Sequence, residues 1–273
     1  MKTRIIALLV AVMSILPASA FRADTLRYNS KNVPGTENVT VLIPDVASAG
    51  QKVPVVYVLH GYDGDYKTWT TITAPALGEL ADQYGMLLVM PDGKDSWYWD
   101  SPRHPEMKME TFIINELVPD IDRRYPTIAD PELRAITGLS MGGQGALYLA
   151  ARHPDVFKNA GSMSGGVDIR PFPKSWKMAN WLGAKDEYPQ EWESRAIPSL
   201  IEGLRGSNVT FDCGVDDFFF PVNEQLHARM MEAGIPHDFT ARPGKHSHAY
   251  WRNSILYHLL FFNENFRKAQ ERK

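Results

Sequence analysis

Residues 138–142 read Gly-Leu-Ser-Met-Gly. A serine with glycines two positions before and after it, entered from a β-branched run and followed by a helix-forming segment, has the pattern of a nucleophile elbow. Such a turn holds the serine in strained backbone geometry with its hydroxyl standing clear of the chain. Side chains at Gly138 and Gly142 would crowd the neighbouring strand and helix, and the small Gly145 and Ala146 suit close helix-on-sheet packing. A helix beginning at Met141 would also favour negative charge developing beside Ser140. The bland alternative is a chance match in a glycine-rich turn, and the strand–turn–helix setting speaks against it.

A serine hydroxyl becomes nucleophilic only with a base in hydrogen-bond reach and a group that orients the base. With this kind of elbow the acid and then the histidine follow the serine along the chain. Residues 211–218, Phe-Asp-Cys-Gly-Val-Asp-Asp-Phe, offer the acid. Asp212 is expected inside a strand, pointing away. Asp216 and Asp217 fall in the loop beyond it, and since neighbours cannot both address one imidazole, one of the two is the orienter. Residues 242–248, Arg-Pro-Gly-Lys-His-Ser-His, offer the base. His246 falls in the loop and His248 in the first turn of a helix, so His246 is the better candidate. The remaining histidines read as surface or packing residues. The oxyanion needs backbone N–H donors: one is expected from Met141, after the nucleophile, and one from Tyr62 in the loop His60-Gly61-Tyr62. His60 then serves as loop scaffold and not as a second base.

Other clusters read more plainly. Asp63 and Asp65 are too few carboxylates for calcium, no Cys/His spacing suggests zinc, and neither metal nor cofactor is expected. Trp97, Tyr98 and Trp99 follow a Pro-Asp-Gly turn. Stacking on a sugar or an aromatic acyl group makes Trp97 a substrate-binding candidate, with ordinary aromatic packing as the alternative. The single cysteine, Cys213, excludes an intrachain disulfide and reads as a buried structural thiol.

The elements that must position these residues alternate. Strands are expected at residues 39–43, 53–59, 86–90, 134–137, 159–163, 208–213 and 237–241. Helices are expected at 74–84, 111–121, with Pro119 near its end, 141–151, 222–233 and 249–267. This alternation predicts an α/β fold with a mainly parallel central sheet and helices on both faces. Residues 171–199, rich in proline, charge and tryptophan, are the least regular stretch. They are expected either as a cap or lid over the carboxyl edge of the sheet or as a surface excursion packing its own aromatics.

The 273 residues are 44% apolar and 22% charged, which is ordinary for a globular protein. Residues 1–20 stand apart: Lys2 and Arg4, an apolar run over 5–16, then Pro-Ala-Ser-Ala. This is the pattern of a secretory signal peptide cut after Ala20, leaving residues 21–273 as a single domain in the periplasm or outside the cell. The run is short for a membrane span, and no other stretch is apolar enough to be one. Losing Lys2 and Arg4 moves the formal net charge from −3 to −5. That mildly acidic balance gives no reason to expect nucleic acid as a partner.

Taken together, Leu59-His60-Gly61, Met90-Pro91-Asp92-Gly93, Gly138 to Gly143, Cys213 to Phe218, and Pro243-Gly244-Lys245-His246 with Tyr250-Trp251 resemble one family. It is the α/β-hydrolase esterase family that includes esterase D, the antigen 85 mycolyltransferases, tributyrin esterases, and acetylxylan and feruloyl esterases. The resemblance implies that the acid directly precedes the aromatic, selecting Asp217, and that the histidine follows Pro-Gly-x, selecting His246. The family often has Trp where His248 stands, which leaves His248 as a substrate-binding candidate or a helix-start residue. The implied activity is hydrolysis of short-chain acyl or carbohydrate-linked acetyl and feruloyl esters through an acyl-enzyme. The alternatives are an exported acyltransferase, or a non-catalytic binding protein, which would be expected to have lost members of the triad.

Overall fold

The computed structural model describes residues 21–272, and the signal peptide expected over residues 1–20 lies outside the described residues. Eight strands form one sheet: β1 (Arg22–Tyr28), β2 (Glu37–Ile43), β3 (Val55–Leu59), β4 (Leu87–Pro91), β5 (Arg134–Gly138), β6 (Asn159–Met163), β7 (Asn208–Gly214) and β8 (Asp238–Arg242). Their spatial order is β1-β2-β4-β3-β5-β6-β7-β8. β2 pairs antiparallel with β1 and β4, and all other pairings are parallel. The helices are α1 (Asp45–Ser48), α2 (Leu77–Tyr84), α3 (Met109–Phe112), α4 (Val118–Arg124), α5 (Met141–Arg152), α6 (Met178–Leu182), α7 (Pro189–Glu193), α8 (Phe220–Glu232) and α9 (His248–Glu271).

The central strand β3 shows why the sheet is covered on both faces. All five of its residues are buried, and successive side chains point to opposite sides. Val55, Tyr57 and Leu59 join the cluster that α5 and α8 cover, while Val56 and Val58 join the cluster under α2 and α9. Pro54 stands just before the strand, where its missing N–H costs no ladder bond. α2 ends at Gly85, whose φ of 59° is the left-handed cap a glycine supplies without strain.

The structure departs from the sequence expectations in instructive places. β1 was not expected. Its residues alternate between exposed and half-buried, and it is held by a seven-residue antiparallel register with β2 and not by a core face of its own. The helix expected at 111–121 is three pieces: α3, a π-helical turn over Ile113–Leu117, then α4. Pro119 has no N–H to continue an ordinary α ladder. The widened turn instead lets Val118 N–H bond the Ile113 carbonyl. Residues 171–199, for which a cap and a surface excursion were both expected, carry α6 and α7. Trp192 is fully buried and its indole N–H donates to the Gly183 carbonyl at 3.1 Å, so this part of the stretch packs its own aromatics.

Candidate active site

At the centre of the sheet the chain crosses over. From β3 it runs outward to β4, then returns to lay β5 on the other side of β3. The loops leaving β3 and β5 therefore diverge, opening a crevice at the strand carboxyl ends where open α/β sheets bind ligands. Ser140 sits there, directly after β5, with φ 55° and ψ −117°. That conformation is costly for a serine, by about 1–3 kcal/mol. The turn is pinned by Ser140 N–H to Met163 O at 2.9 Å and Gly142 N–H to Leu139 O at 2.7 Å. A Cβ on Gly142 would lie 2.5 Å from the carbonyl oxygens of Leu59 and His60, and one on Gly138 would lie 2.5 Å from the Gly142 carbonyl. Both elbow glycines are thus required by backbone crowding.

His246 Nε2 lies 2.8 Å from Ser140 Oγ, and His246 Nδ1 lies 2.8 Å from Asp217 Oδ2. The second carboxylate oxygen of Asp217 accepts the Phe219 N–H at 2.9 Å. Asp217 is buried and Asp216 is exposed, so the pair left open by residue type is resolved by which carboxylate faces inward. The loops after β7 and β8 are zipped together: Val215 N–H bonds Arg242 O at 2.9 Å and Asp216 N–H bonds Gly244 O at 3.0 Å. Gly214 permits this, because a Cβ there would meet the Gly244 carbonyl at 2.4 Å. The imidazole is also held by rings, with Phe218 at 4.4 Å and Trp251 edge-on at 4.8 Å between centroids.

The two expected oxyanion donors lie on segments that adjoin the serine. Met141 begins α5 beside Ser140, and a Cβ on Gly61 would lie 3.3 Å from Ser140 Cβ, so the loop of Tyr62 abuts the nucleophile. Among the described residues, the amides of Met141 and Tyr62 donate to no protein acceptor. Ser140 and His246 open into a cleft of about 490 Å³, lined also by Tyr62, Ile72, Trp176, Phe218, His248 and Trp251. His248 is in the first turn of α9, and its Nδ1 pairs with Thr73 Oγ1 at 2.8 Å. Burial, with Arg252 and His246 nearby, lowers its affinity for a proton.

The structure does not bring Trp97 to the cleft. Its φ of 57° turns the ring inward, where it is 1% exposed and stacks on Trp99 at 5.4 Å. It supports Trp176, 6.0 Å away, and Trp176 is the ring that reaches the cleft. Trp176, Phe218 and Trp251 were not named as site residues from sequence. The available signal was that Phe218 adjoins the acid and Trp251 follows the histidine loop; Trp176 carried none. Asp212, Cys213 and Asp65 lie as their sequence settings suggest. Asp212 points away from the site to Arg242 and Ser254. Cys213 is fully buried, which pushes its thiol up. Asp65 accepts the Lys67 N–H at 2.8 Å, capping a turn.

A doubly covered sheet with a strained serine at its switch point and a histidine–carboxylate relay beside it has the architecture of the α/β-hydrolases. The family model described as Putative esterase matches residues 30–262, and the chain belongs to that family. It is 29% identical over 251 residues to Esterase Rv1288 of Mycobacterium tuberculosis (strain ATCC 25618 / H37Rv), covering 81% of this chain and 54% of the relative. The chain thus spans about half the length of that relative. An acetyl esterase of Caldicellulosiruptor saccharolyticus is 26% identical over 224 residues, 75% of this chain and 81% of the relative. A solved ferulic acid esterase superposes with a TM-score of 0.77 at 28% identity, covering 90% of this chain and 99% of its own. FphF, a fluorophosphonate-binding serine hydrolase of Staphylococcus aureus, shares the fold with a TM-score of 0.78 at 20% identity, covering 89% and 98%.

Proposed function

We propose that this chain is an exported carboxylic-ester hydrolase that works through an acyl-enzyme on Ser140. The observation that carries this reading is the unbroken relay Ser140–His246–Asp217, with 2.8 Å at both joints. In the proposed cycle His246 Nε2 takes the hydroxyl proton as Ser140 Oγ attacks the ester carbonyl. The N–H groups of Tyr62 and Met141 receive the oxyanion, and Asp217 holds the imidazolium that forms. Collapse passes the His246 proton to the departing alcohol. Water then enters, gives a proton to His246, and attacks the acyl group; the acid leaves as Ser140 regains its proton. Residues 1–20 support export.

The substrate class is an ester of a short acyl or aromatic acid on a small or carbohydrate alcohol. The acetyl and ferulic acid esterases among its relatives support that range. So does the aromatic wall of Trp176 and Phe218, whose near-parallel rings lie 5.8 Å apart. Ser140→Ala should lose hydrolysis of p-nitrophenyl acetate and labelling by a fluorophosphonate while keeping its melting temperature. Retained turnover would sink the reading. Parallel assays on acetylated xylan and methyl ferulate, with product analysis in the presence of a sugar acceptor, rank the acyl groups and separate hydrolysis from acyl transfer.

A further inference from the structure

Behind the cleft a chain of buried polar contacts ends on the backbone of the proposed oxyanion loop. His60 is 1% exposed. Its Nδ1 lies 2.7 Å from the Gly61 carbonyl oxygen, and its Nε2 accepts the Gly93 N–H at 2.7 Å. A carbonyl can only accept and a backbone N–H can only donate. These two partners set the proton on Nδ1 and the lone pair on Nε2. The carboxylate of Asp92 also faces Nε2, but at 3.7 Å it is beyond hydrogen-bond distance while the Gly93 N–H is at 2.7 Å. The next residue along, Tyr98, donates its hydroxyl to the His60 carbonyl at 3.0 Å. Room for the Tyr98 ring exists only because residues 93 and 145 are glycines: a Cβ would meet that ring at 2.2 Å and 2.5 Å.

The Gly61 carbonyl belongs to the same peptide unit as the Tyr62 N–H. In a planar trans peptide the two point in opposite directions. Gly61 O is held by His60 Nδ1–H and by Gly64 N–H at 3.0 Å. Fixing the carbonyl fixes the amide. We infer that His60 is a positioning residue: its Nδ1–H locks the Gly61–Tyr62 peptide so that the Tyr62 N–H faces the oxyanion, with Tyr98 bracing His60 from beneath. Preorganised donors of this kind act because they need no reorientation when charge develops. The inference rests on the ester-hydrolase reading, which Ser140→Ala tests separately.

The two halves of the imidazole can be replaced one at a time. His60→Asn sets an amide N–H at the Nδ1 position and gives up the contact to Gly93. His60→Gln sets an amide oxygen at the Nε2 position and gives up the donor to Gly61. Losing an entire oxyanion donor costs ~10²–10³ in rate, so a misaimed one should lower kcat of His60→Gln by roughly 10–100-fold, with KM within about twofold. Binding of a trifluoromethyl ketone, whose serine adduct carries the oxyanion, should weaken in the same proportion. His60→Asn should stay within about threefold of the parent in both readouts. Equal impairment of the two variants, or a loss confined to KM with ketone binding intact, would overturn the assignment. The unsubstituted protein supplies a readout independent of variant folding. Long-range ¹H–¹⁵N spectra should show His60 as the Nδ1–H tautomer, and the Nε2–H tautomer would refute it. If Ser140→Ala is inactive while His60→Gln is not impaired, only the positioning role falls.

Discussion

At the residue scale, the chemistry was legible wherever spacing alone constrains geometry. Gly138 and Gly142 mark Ser140 because crowding at an elbow admits nothing larger, and Met141 follows from adjacency. Asp216 and Asp217 could not be separated by residue type. They differ in where the loop after β7 turns them, one to solvent and one to His246. Asp217→Asn should cost roughly 10³–10⁴ in kcat, by leaving the imidazole in the wrong tautomer. Asp216→Asn should change kcat by no more than about threefold, since an exposed loop carboxylate touches neither reacting atom. Steady-state kinetics on one chromogenic ester decide between them, and the reverse ranking would move the acid. Trp97 and Trp176 show the limit of residue-level reading. Both are tryptophans in irregular chain with positive φ, near 57° and 47°. Only the backbone decides that one ring lies inside and the other at the cleft. Trp176→Ala should raise KM for methyl ferulate about tenfold and leave KM for an acetate ester nearly unchanged, as loss of a ring face costs about 1 kcal/mol or slightly more.

At the scale of elements, the pattern of apolar residues and loops located seven of the eight strands and the helices that flank the nucleophile. Six of those strands are largely buried, whereas β8 is as exposed as β1 and was read from its place between a helix and the histidine loop. β1 was illegible because it has no buried face and is held by ladder bonds to β2. The π-helical turn before Pro119 was equally hidden, because side-chain pattern does not report how many residues a turn holds. The elbow is where element and site are least separable. Gly142→Ala would drive a Cβ to 2.5 Å of two carbonyl oxygens of β3 and its loop. Neither backbone can retreat without breaking the sheet, so the substitution should destabilise the protein by about 2–4 kcal/mol. Thermal unfolding would register this as a clear drop in melting temperature, whereas Gly234→Ala, with nothing within 4 Å, tests the cost of positive φ alone.

At the scale of the whole molecule, the sequence forecast a mainly parallel sheet but not the order of its strands, which depends on contacts between distant segments. One of those contacts carries a pH signature. Glu110 of α3 is buried between helices, and burial by itself would raise its carboxyl. Hydrogen bonds from His153, Arg152 and Tyr148 outweigh that and hold it down to about 2, against an ordinary value of 4.5. In the unfolded chain Glu110 takes up its proton near 4.5, and in the folded protein near 2. Its contribution to stability is therefore complete above about pH 5 and is lost as pH falls toward 2, on the order of 3 kcal/mol. Glu110→Gln should be less stable at neutral pH and show a flatter stability profile between pH 5 and 2 by denaturant titration. A profile parallel to that of the parent would show that the carboxylate contributes nothing there.

The three members of the relay come from loops after three different strands. His246 is 29 residues beyond Asp217 and 106 beyond Ser140. No short segment of the chain contains more than one of them, and no local collapse can bring them together. Under the proposed mechanism, reactivity at Ser140 is a coincidence detector for the finished sheet, silent in any partly assembled state. Fluorophosphonate labelling followed across a denaturant series should vanish in one step with the global unfolding transition, and an earlier loss would mark the loops after β7 and β8 as a separately melting unit.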